Sequence, residues 1–177
     1  MAGRVRTDRT RSFAPLAGPH PRLLILGSLP GRASLAAGEY YAHPRNLFWD
    51  VMGALFGAGR DLPYAQRTAT LVARHVALWD VVQEASRPGS LDTSIDFASA
   101  RHNDIAAYVL ATPSLRAIAF NGATAARLFR RQVAPALGAG LEAIALLPLP
   151  STSPAHAGMD RAAKLAAWQV LRAAAEG

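Results

Sequence analysis

A short segment, YYAHPRNLFWD at residues 40–50, combines residue types that can perform chemistry with others that normally pack in a core. Pro44 restricts the residue before it to extended conformations, and Asn46 directly precedes an apolar pattern with helical spacing. An asparagine at that place can cap the helix, or its amide can hold a water molecule, and Phe48 can stack on a flat ligand. Arg45 adds a cation that can bind phosphate. Capping and water binding would compete for the one amide side chain.

Three further segments carry small or polar residues where apolar runs end. GSLPG at 27–31 predicts a tight turn whose backbone N–H groups can face a ligand, and FNG at 120–122 ends a strand with an amide that can meet both a donor and an acceptor. LPSTSPAHA at 149–157 offers the hydroxyl and N–H groups that bind a phosphate backbone. Each segment by itself is also typical of an ordinary turn or loop. The candidate positions in them are Gly27, Ser28, Gly31, Asn121, Ser151, Thr152, Ser153 and His156.

These segments need strands and helices to position them, and the apolar pattern predicts both. Buried strands are predicted at residues 23–26, 76–82, 118–120 and 144–149. Helices are predicted at 47–56, 62–74, 97–110, 122–133 and 161–175, with Pro63 in a first turn and Asp96 as a cap. Strands that alternate with helices indicate a parallel sheet covered on both faces. Ligands of such sheets bind at the carboxyl ends of the strands. The three polar segments lie at such ends, and YYAHPRNLFWD follows the first of them closely.

The composition bounds the classes of protein to which the chain can belong. It has 177 residues and no cysteine, and 51% of its residues are apolar. That length suits one domain with a full core, and the missing cysteine excludes a disulfide scaffold, a cysteine nucleophile and a thiolate-bound iron–sulfur cluster. No apolar run can span a bilayer, and no apolar stretch follows the basic N-terminus as in a secretory signal. We therefore expect a cytoplasmic protein that does not enter a membrane.

The net charge and the scattered histidines limit the kinds of partner and ligand that the sequence predicts. The formal net charge is +7, which favours a polyanion such as nucleic acid, although a compositional bias toward arginine would produce the same charge. Residues 1–21, rich in Arg, Pro and Gly, predict a flexible basic arm. The five histidines show no metal-ligand spacing, so we expect no metal. No pair of carboxylates stands where a glycosidase would need it.

Six segments taken together resemble the uracil-DNA glycosylase superfamily, and most closely its hypoxanthine-DNA glycosylase branch. They are LLILGSLPG at 23–31, YYAHPRNLFW at 40–49, LWDVV at 78–82, GSLD at 89–92, FNG at 120–122 and LPSTSPAHA at 149–157. The resemblance implies a three-layer α/β/α sandwich with a four-stranded parallel sheet, in agreement with the four predicted strands. It also implies a single domain of this family over residues 22–177.

The resemblance further implies roles for individual residues. The catalytic asparagine of the branch corresponds to Asn46, which would hold the attacking water, and the two tyrosines before it would wall the pocket. The residues implied to contact the base are Gly27, Ser28, Gly31, Phe48, Asn121 and His156, with Phe48 stacking on the base and Asn121 reading its edge. The residues implied to contact the DNA backbone are Arg45, Ser151, Thr152 and Ser153.

The implied activity is hydrolysis of the N-glycosidic bond of a deaminated base in DNA, with hypoxanthine favoured, by a monomer that uses no cofactor. The chain lacks the Gly-Gln-Asp-Pro-Tyr motif of the classical uracil branch, and Ser28 to Pro30 lack the asparagine of the mismatch-specific branch. A mismatch-type uracil or thymine glycosylase and a catalytically silent DNA-binding module remain alternatives. Because hypoxanthine and uracil both offer an N–H beside a carbonyl, pocket size would have to choose between them.

The lysine content predicts that the enzyme removes the base without cutting the strand. Strand cleavage usually needs an amine that forms a Schiff base. Lys164 is the only lysine, and it lies in the last predicted helix, far in sequence from the strand ends. We therefore expect a monofunctional glycosylase.

Overall fold

The computed structural model describes residues 9–176 as two sheets surrounded by helices. In chain order the elements are β1 (Arg9–Arg11), β2 (Leu23–Gly27), α1 (Arg32–Ala37), α2 (Phe48–Phe56), α3 (Tyr64–Ala73), β3 (Val76–Asp80), β4 (Val82–Ser86), β5 (Asp96–His102), α4 (Ile105–Leu110), β6 (Ala117–Asn121), α5 (Ala123–Gln132), α6 (Ala134–Leu137), β7 (Ala145–Leu149), α7 (Arg161–Trp168) and α8 (Val170–Glu176). Single 3₁₀ turns cover Asp92–Ser94 and Gly138–Leu141. No helix within residues 9–176 is long and apolar enough to cross a membrane.

The larger sheet is parallel and has the strand order β3-β2-β6-β7. Its strands correspond to the four predicted ones, with one exception. The apolar run at 76–82 divides between two strands: β3 ends at Asp80, and β4 begins at Val82 and belongs to the other sheet. The register pairs Gly27 with Asp80 and Asn121 with Leu149. The carboxyl ends of all four strands therefore meet at one edge of the sheet.

Helices cover both faces of this sheet, because side chains in a strand alternate between its faces. In β2, Leu23 and Ile25 pack into the core that includes α2, α3 and α8, whereas Leu24 and Leu26 pack into the core that includes α4, α5 and α6. All four side chains are fully buried. The predicted α/β/α sandwich with its four-stranded parallel sheet is thus confirmed.

A second, antiparallel sheet of order β1-β4-β5 was not predicted, and it replaces part of a predicted helix. Residues 96–102 form β5 and pair with β4, so the expected helix at 97–110 is reduced to α4. Asp96 therefore caps no helix, and Asp104 does so instead by accepting a bond from the N–H of Ala107 at 3.0 Å. Pairing with a distant strand outweighs the local helical pattern.

The structure also corrects the predicted flexible arm at 1–21 for those residues that it describes. Arg9–Arg11 pairs with β4, and the backbones of Leu16 and Leu78 bond to each other at 2.8 and 2.9 Å. Phe13 packs edge-on against the ring of Tyr40, with 5.2 Å between ring centroids. These backbone hydrogen bonds and the aromatic contact hold residues 9–21 on the domain, and residues 1–8 lie outside the described part of the chain.

Candidate active site

A cavity of about 660 Å³ opens at the carboxyl edge of the parallel sheet. Its floor contains the last residues of three strands, Gly27, Asp80 and Asn121. The four segments singled out in the sequence all reach it. The predicted site residues that line the cavity are Gly27, Ser28, Gly31, Arg45, Asn46, Asn121, Ser151, Thr152, Ser153 and His156. Phe48 is the one predicted site residue that does not line it.

The turn after β2 is held in place by a loop between β4 and β5. The Ser28 hydroxyl donates to Oδ1 of Asp92 at 2.6 Å. Arg87, which is 2% exposed, donates to the carbonyls of Leu29 (3.2 Å) and Pro30. Asp92 of the GSLD segment thus supports the first turn from the cavity wall. The buried guanidinium of Arg87 satisfies two carbonyls that the turn leaves without backbone partners.

Because Gly27 has no side chain, two polar groups, Oδ1 of Asp80 and the hydroxyl of Tyr41, can come close to its backbone at the cavity floor. A Cβ atom at this position would lie 2.5 Å from Oδ1 of Asp80 and 2.9 Å from the hydroxyl of Tyr41. Any larger residue would push both groups away. The glycine is therefore required by close contact and not by an unusual backbone angle.

Asp80 is a site residue that the sequence reasoning did not identify. It is 4% exposed, and its Oδ2 atom accepts no hydrogen bond from residues 9–176. The pKa of its carboxyl is raised to about 7, chiefly by burial and then by the negative charge of Asp92, while Arg87 acts in the opposite direction. The only signal in the sequence was a carboxylate that ends an apolar strand at the edge where ligands bind.

Asn46 sits in a tight turn at the start of α2. Its N–H donates to the carbonyl of His43 at 2.9 Å, and its Oδ1 accepts from the N–H of Phe48 at 2.9 Å. Arg60 donates to its backbone carbonyl. The cap position of α2 is Leu47 and not Asn46 as expected, but the Asn46 amide oxygen does satisfy the first N–H of the helix. Its second lone pair and both Nδ2 hydrogens make no bond with residues 9–176.

Phe48 does not occupy the position predicted for it. Its side chain is fully buried in the core, and Tyr41 stacks on it with 3.9 Å between ring centroids and 21° between ring planes. Tyr41 lines the cavity and Phe48 does not. The helical periodicity that begins at residue 48 turns the phenylalanine inward, so the exposed aromatic face belongs to Tyr41.

The amide of Asn121 is not free in the way that was predicted. Its Oδ1 accepts from the N–H of Thr152 at 2.9 Å, and its Nδ2 donates to the Thr152 hydroxyl at 2.9 Å. Because a backbone N–H can only donate, this contact settles which end of the amide is oxygen. Thr152 itself is fully buried, so its side chain is not available to a DNA backbone as predicted. The pair joins β6 to the loop after β7.

That loop, residues 151–156, is ordered by its own hydroxyl groups and by a buried cation. Ser151 and Ser153 accept bonds from the N–H groups two residues later, at 3.1 and 3.2 Å. Lys164 is 3% exposed and donates to the carbonyls of His156 (2.7 Å) and Ser153 (3.4 Å). Burial lowers the pKa of this lysine. The residue that is distant in sequence therefore lies directly beneath the loop, although it does not line the cavity.

The charges around the cavity differ between its floor and its rim. Carboxylates lie at the floor and its wall, at Asp80 and Asp92, whereas exposed arginines lie at the rim, at Arg32 and Arg45. Within residues 9–176, no group of three or more His, Asp or Glu side chains is arranged to hold a metal ion. The rim suits an anion such as phosphate, and the floor suits a neutral group with hydrogen-bond donors.

Comparisons with known proteins agree with this architecture. The family model described as "Uracil DNA glycosylase superfamily" matches residues 14–172. A protein of Methanosarcina acetivorans named "Hypoxanthine DNA glycosylase" is 36% identical over 113 residues, which cover 63% of this chain and 70% of the relative. A protein of Methanosarcina barkeri with the same name is 33% identical over 115 residues, which cover 64% and 72%.

A solved structure extends the similarity to nearly the whole chain. It is a solution NMR structure of a candidate uracil DNA glycosylase from Methanosarcina acetivorans, with a TM-score of 0.77 and 30% sequence identity. The superposition covers 96% of this chain and 99% of the other. The chain belongs to the uracil DNA glycosylase superfamily.

Proposed function

We propose that the protein is a DNA glycosylase that hydrolyses the N-glycosidic bond of hypoxanthine in DNA. The family match and the two relatives named hypoxanthine DNA glycosylase support a glycosylase for deaminated bases. The observation that carries the proposal is the cavity, which brings Asn46 with its free Nδ2 group to the same space as the three strand ends. A base must leave the duplex to enter such a cavity.

The cavity supplies the surfaces that a flipped nucleotide needs. The ring of Tyr41 lines the cavity, with Phe48 stacked behind it, and offers a flat face against which a base can stack. Stacking of this kind contributes roughly 1–3 kcal/mol per base. Arg45 at the rim is exposed and can contact phosphate, as can the hydroxyls of Ser151 and Ser153. The base is thus held within the cavity while the backbone stays outside it.

The reaction needs a positioned water and a stabilised leaving base. In the proposed step the water oxygen bonds to C1′ of the sugar, the bond from C1′ to the base breaks, and its electron pair leaves with the base. The base recovers one proton of the water. Asn46 holds the water through its free amide groups, which places the nucleophile before the sugar acquires oxocarbenium character. His156 lies at the cavity wall, where it can stabilise charge on the departing base.

The test is a panel of duplexes that carry inosine, uracil, xanthine or mispaired thymine, incubated with the protein and then heated in alkali. We expect scission at inosine, with weaker or no scission at uracil. Scission at uracil but not at inosine would favour the mismatch-type glycosylase. Scission at none of them, with binding retained, would favour a silent DNA-binding module.

A further inference from the structure

The buried carboxyl of Asp80 has more hydrogen-bonding capacity than the protein uses. Neither of its oxygens accepts a hydrogen bond from residues 9–176: Oδ1 lies in the space that a Cβ at Gly27 would need, and Oδ2 is buried without a partner. A buried polar atom without a partner costs about 1–3 kcal/mol, and native structures contain few of them. Asp80 also lines the cavity. The unpaired carboxyl therefore indicates a ligand that brings a donor to it from the cavity.

The depth of Asp80 selects the part of a nucleobase that would meet it. Asp80 ends a strand at the cavity floor and is 4% exposed, whereas Asn46 lies on the loop before α2 and is half-buried. If Asn46 holds the water that attacks the sugar, the sugar stays near Asn46. The Watson–Crick edge is the part of a purine that points away from the sugar, so it enters deepest. Asn121, the other polar residue at the floor, is already bonded to Thr152 through both ends of its amide.

We propose that the Asp80 carboxylate accepts a hydrogen bond from the ring N–H of the deaminated base, and that this contact separates hypoxanthine from adenine. The inference rests on the proposed function and adds the residue that reads the base. Hypoxanthine carries a hydrogen on N1, which the carboxylate can accept. Adenine carries a lone pair on N1, which would face the same oxygen and be repelled. Guanine and uracil also carry a ring N–H, so Asp80 does not exclude them.

The groups around Asp80 are consistent with a carboxylate that is ionised when a donor is bound. Arg87 lies on the side of the turn after β2 and favours the charged form, whereas burial and Asp92 oppose it. Tyr40 and Tyr41 face it from the loop before α2. With a pKa of about 7, the carboxyl is mostly ionised at pH 8, where an N–H donor would be most strongly accepted.

Binding of uncleavable duplexes tests this inference separately from catalysis. The duplexes carry 2′-fluoro-deoxyinosine or 2′-fluoro-deoxynebularine at one position; the fluorine opposes the oxocarbenium-like transition state, and nebularine lacks the N1 hydrogen and the 6-oxo group. At pH 8 we expect the wild type to prefer the inosine duplex by roughly 10-fold or more. Asp80→Ala should reduce that preference at least about fivefold, and Asp80→Asn should restore part of it, because its amide oxygen also accepts.

A structural role for Asp80 would produce a different pattern. It would weaken binding of both duplexes equally and leave the preference unchanged, and that result would overturn the inference. Glu142→Ala removes an exposed carboxylate remote from the cavity and is the matched control, which should bind like the wild type. Circular dichroism checks that each variant is folded. If Asp80→Ala is unfolded, Asp80→Asn, which keeps the shape of the side chain, serves as the test variant. Wild-type protein that fails to cut inosine duplexes would refute the proposed function, whereas wild-type cutting with an unchanged preference in Asp80→Asn and Asp80→Ala would refute only this inference.

Discussion

At the scale of single residues, the proposed mechanism gives the amide of Asn46 two tasks. Its oxygen accepts the first N–H of α2, that of Phe48, from the position before the cap residue Leu47, while its nitrogen is free to bind a water molecule. A hydrogen bond of this type contributes about 1 kcal/mol to stability. A mutation that removes the side chain therefore affects stability and chemistry together, and the two effects must be separated by the choice of replacement.

Asn46→Ala should lower single-turnover excision by about 100-fold or more, because the attacking water loses its holder. It should also lower the free energy of unfolding by about 1 kcal/mol. Asn46→Ser keeps a capping oxygen but lacks the amide nitrogen, so it should have nearly wild-type stability and the same loss of activity. Quenched-flow kinetics on inosine duplexes measure the rate of excision, and urea denaturation of each variant measures its stability. Near wild-type turnover in Asn46→Ser would show that the water is held elsewhere.

Asp80 should make the stability of the protein fall as the pH rises from about 5 to 8. Its pKa is about 4 in an unfolded chain and about 7 in the folded protein, chiefly because it is buried. The folded state therefore holds a proton that the unfolded state has lost, and this stabilisation disappears as the pH passes 7. Asp80→Asn does not titrate, so from pH 5 to 8 it should lose about 2–3 kcal/mol less stability than the wild type. Urea denaturation at both pH values measures the difference, and equal losses would contradict the raised pKa.

At the scale of elements, two loops that carry site residues depend on contacts from elsewhere in the chain. The turn after β2 is supported by Arg87, and the loop at 151–156 is supported by Lys164 and by the pairing of Thr152 with Asn121. Gly122, between β6 and α5, has a φ of +99° and lies against Ser151, where a Cβ would approach within 3.1 Å. Both loops are therefore positioned by tertiary contacts and not by their own hydrogen bonds alone.

Lys164→Met should loosen the loop at 151–156 without unfolding the domain, because methionine retains the length and apolar stem of lysine but not its charge. We expect DNA affinity to fall about 5- to 10-fold and proteolytic cleavage within the loop to become faster. Arg172→Met, which removes a cation of α8 bonded to Ala54 on the neighbouring helix, is the control. The side chain of Lys164 also bears on the reaction type: its ammonium donates to two carbonyls, and the residue does not line the cavity.

Borohydride should therefore trap no covalent adduct with the wild type, and an adduct abolished in Lys164→Met would disprove the monofunctional reaction.

At the scale of the whole molecule, charge is distributed so that the rim of the cavity and its floor attract different parts of a nucleotide. The chain carries a formal net charge of +7, and exposed arginines stand at the cavity rim. The buried carboxyl of Asp80 stands at the floor, and the partly exposed carboxyl of Asp92 stands at the wall. A polyanion is thus attracted to the mouth, while only a neutral, donor-bearing group suits the interior.

DNA affinity should fall steeply as salt is added, because phosphate contacts release counterions. Arg45→Ala should reduce the slope of log Kobs against log salt by about 1 unit. Arg74→Ala is the matched control, since Arg74 is exposed before the start of β3, at the opposite edge of the sheet from the cavity. Fluorescence anisotropy over about a sixfold range of salt, from roughly 50 to 300 mM, gives both slopes. Equal slopes for the two variants would remove Arg45 from the DNA interface.

The sequence alone determined the fold class, the family and the four segments that meet at the cavity. Apolar runs separated by helical patterns specify a parallel sheet, and a parallel sheet places the ends of all its strands at one edge. For this reason Gly27, Asn121 and the loop at 151–156 could be grouped without a structure, and Asn46 could be placed beside them through the motif. Predictions from local patterns were wrong where pairing with a distant segment of the chain outweighed the local preference, as in β5 and in residues 9–21.

Only the tertiary structure decided how the side chains divide the work within that cavity. It buried Phe48 behind Tyr41, tied Asn121 to Thr152, placed Lys164 beneath the loop and left one oxygen of Asp80 without a partner. Each of these contacts joins residues whose separation in space is unrelated to their separation in the chain. Burial and hydrogen bonding depend on everything that packs around a group, so residue type and spacing can name the candidates but cannot say which of their atoms remain free to bind.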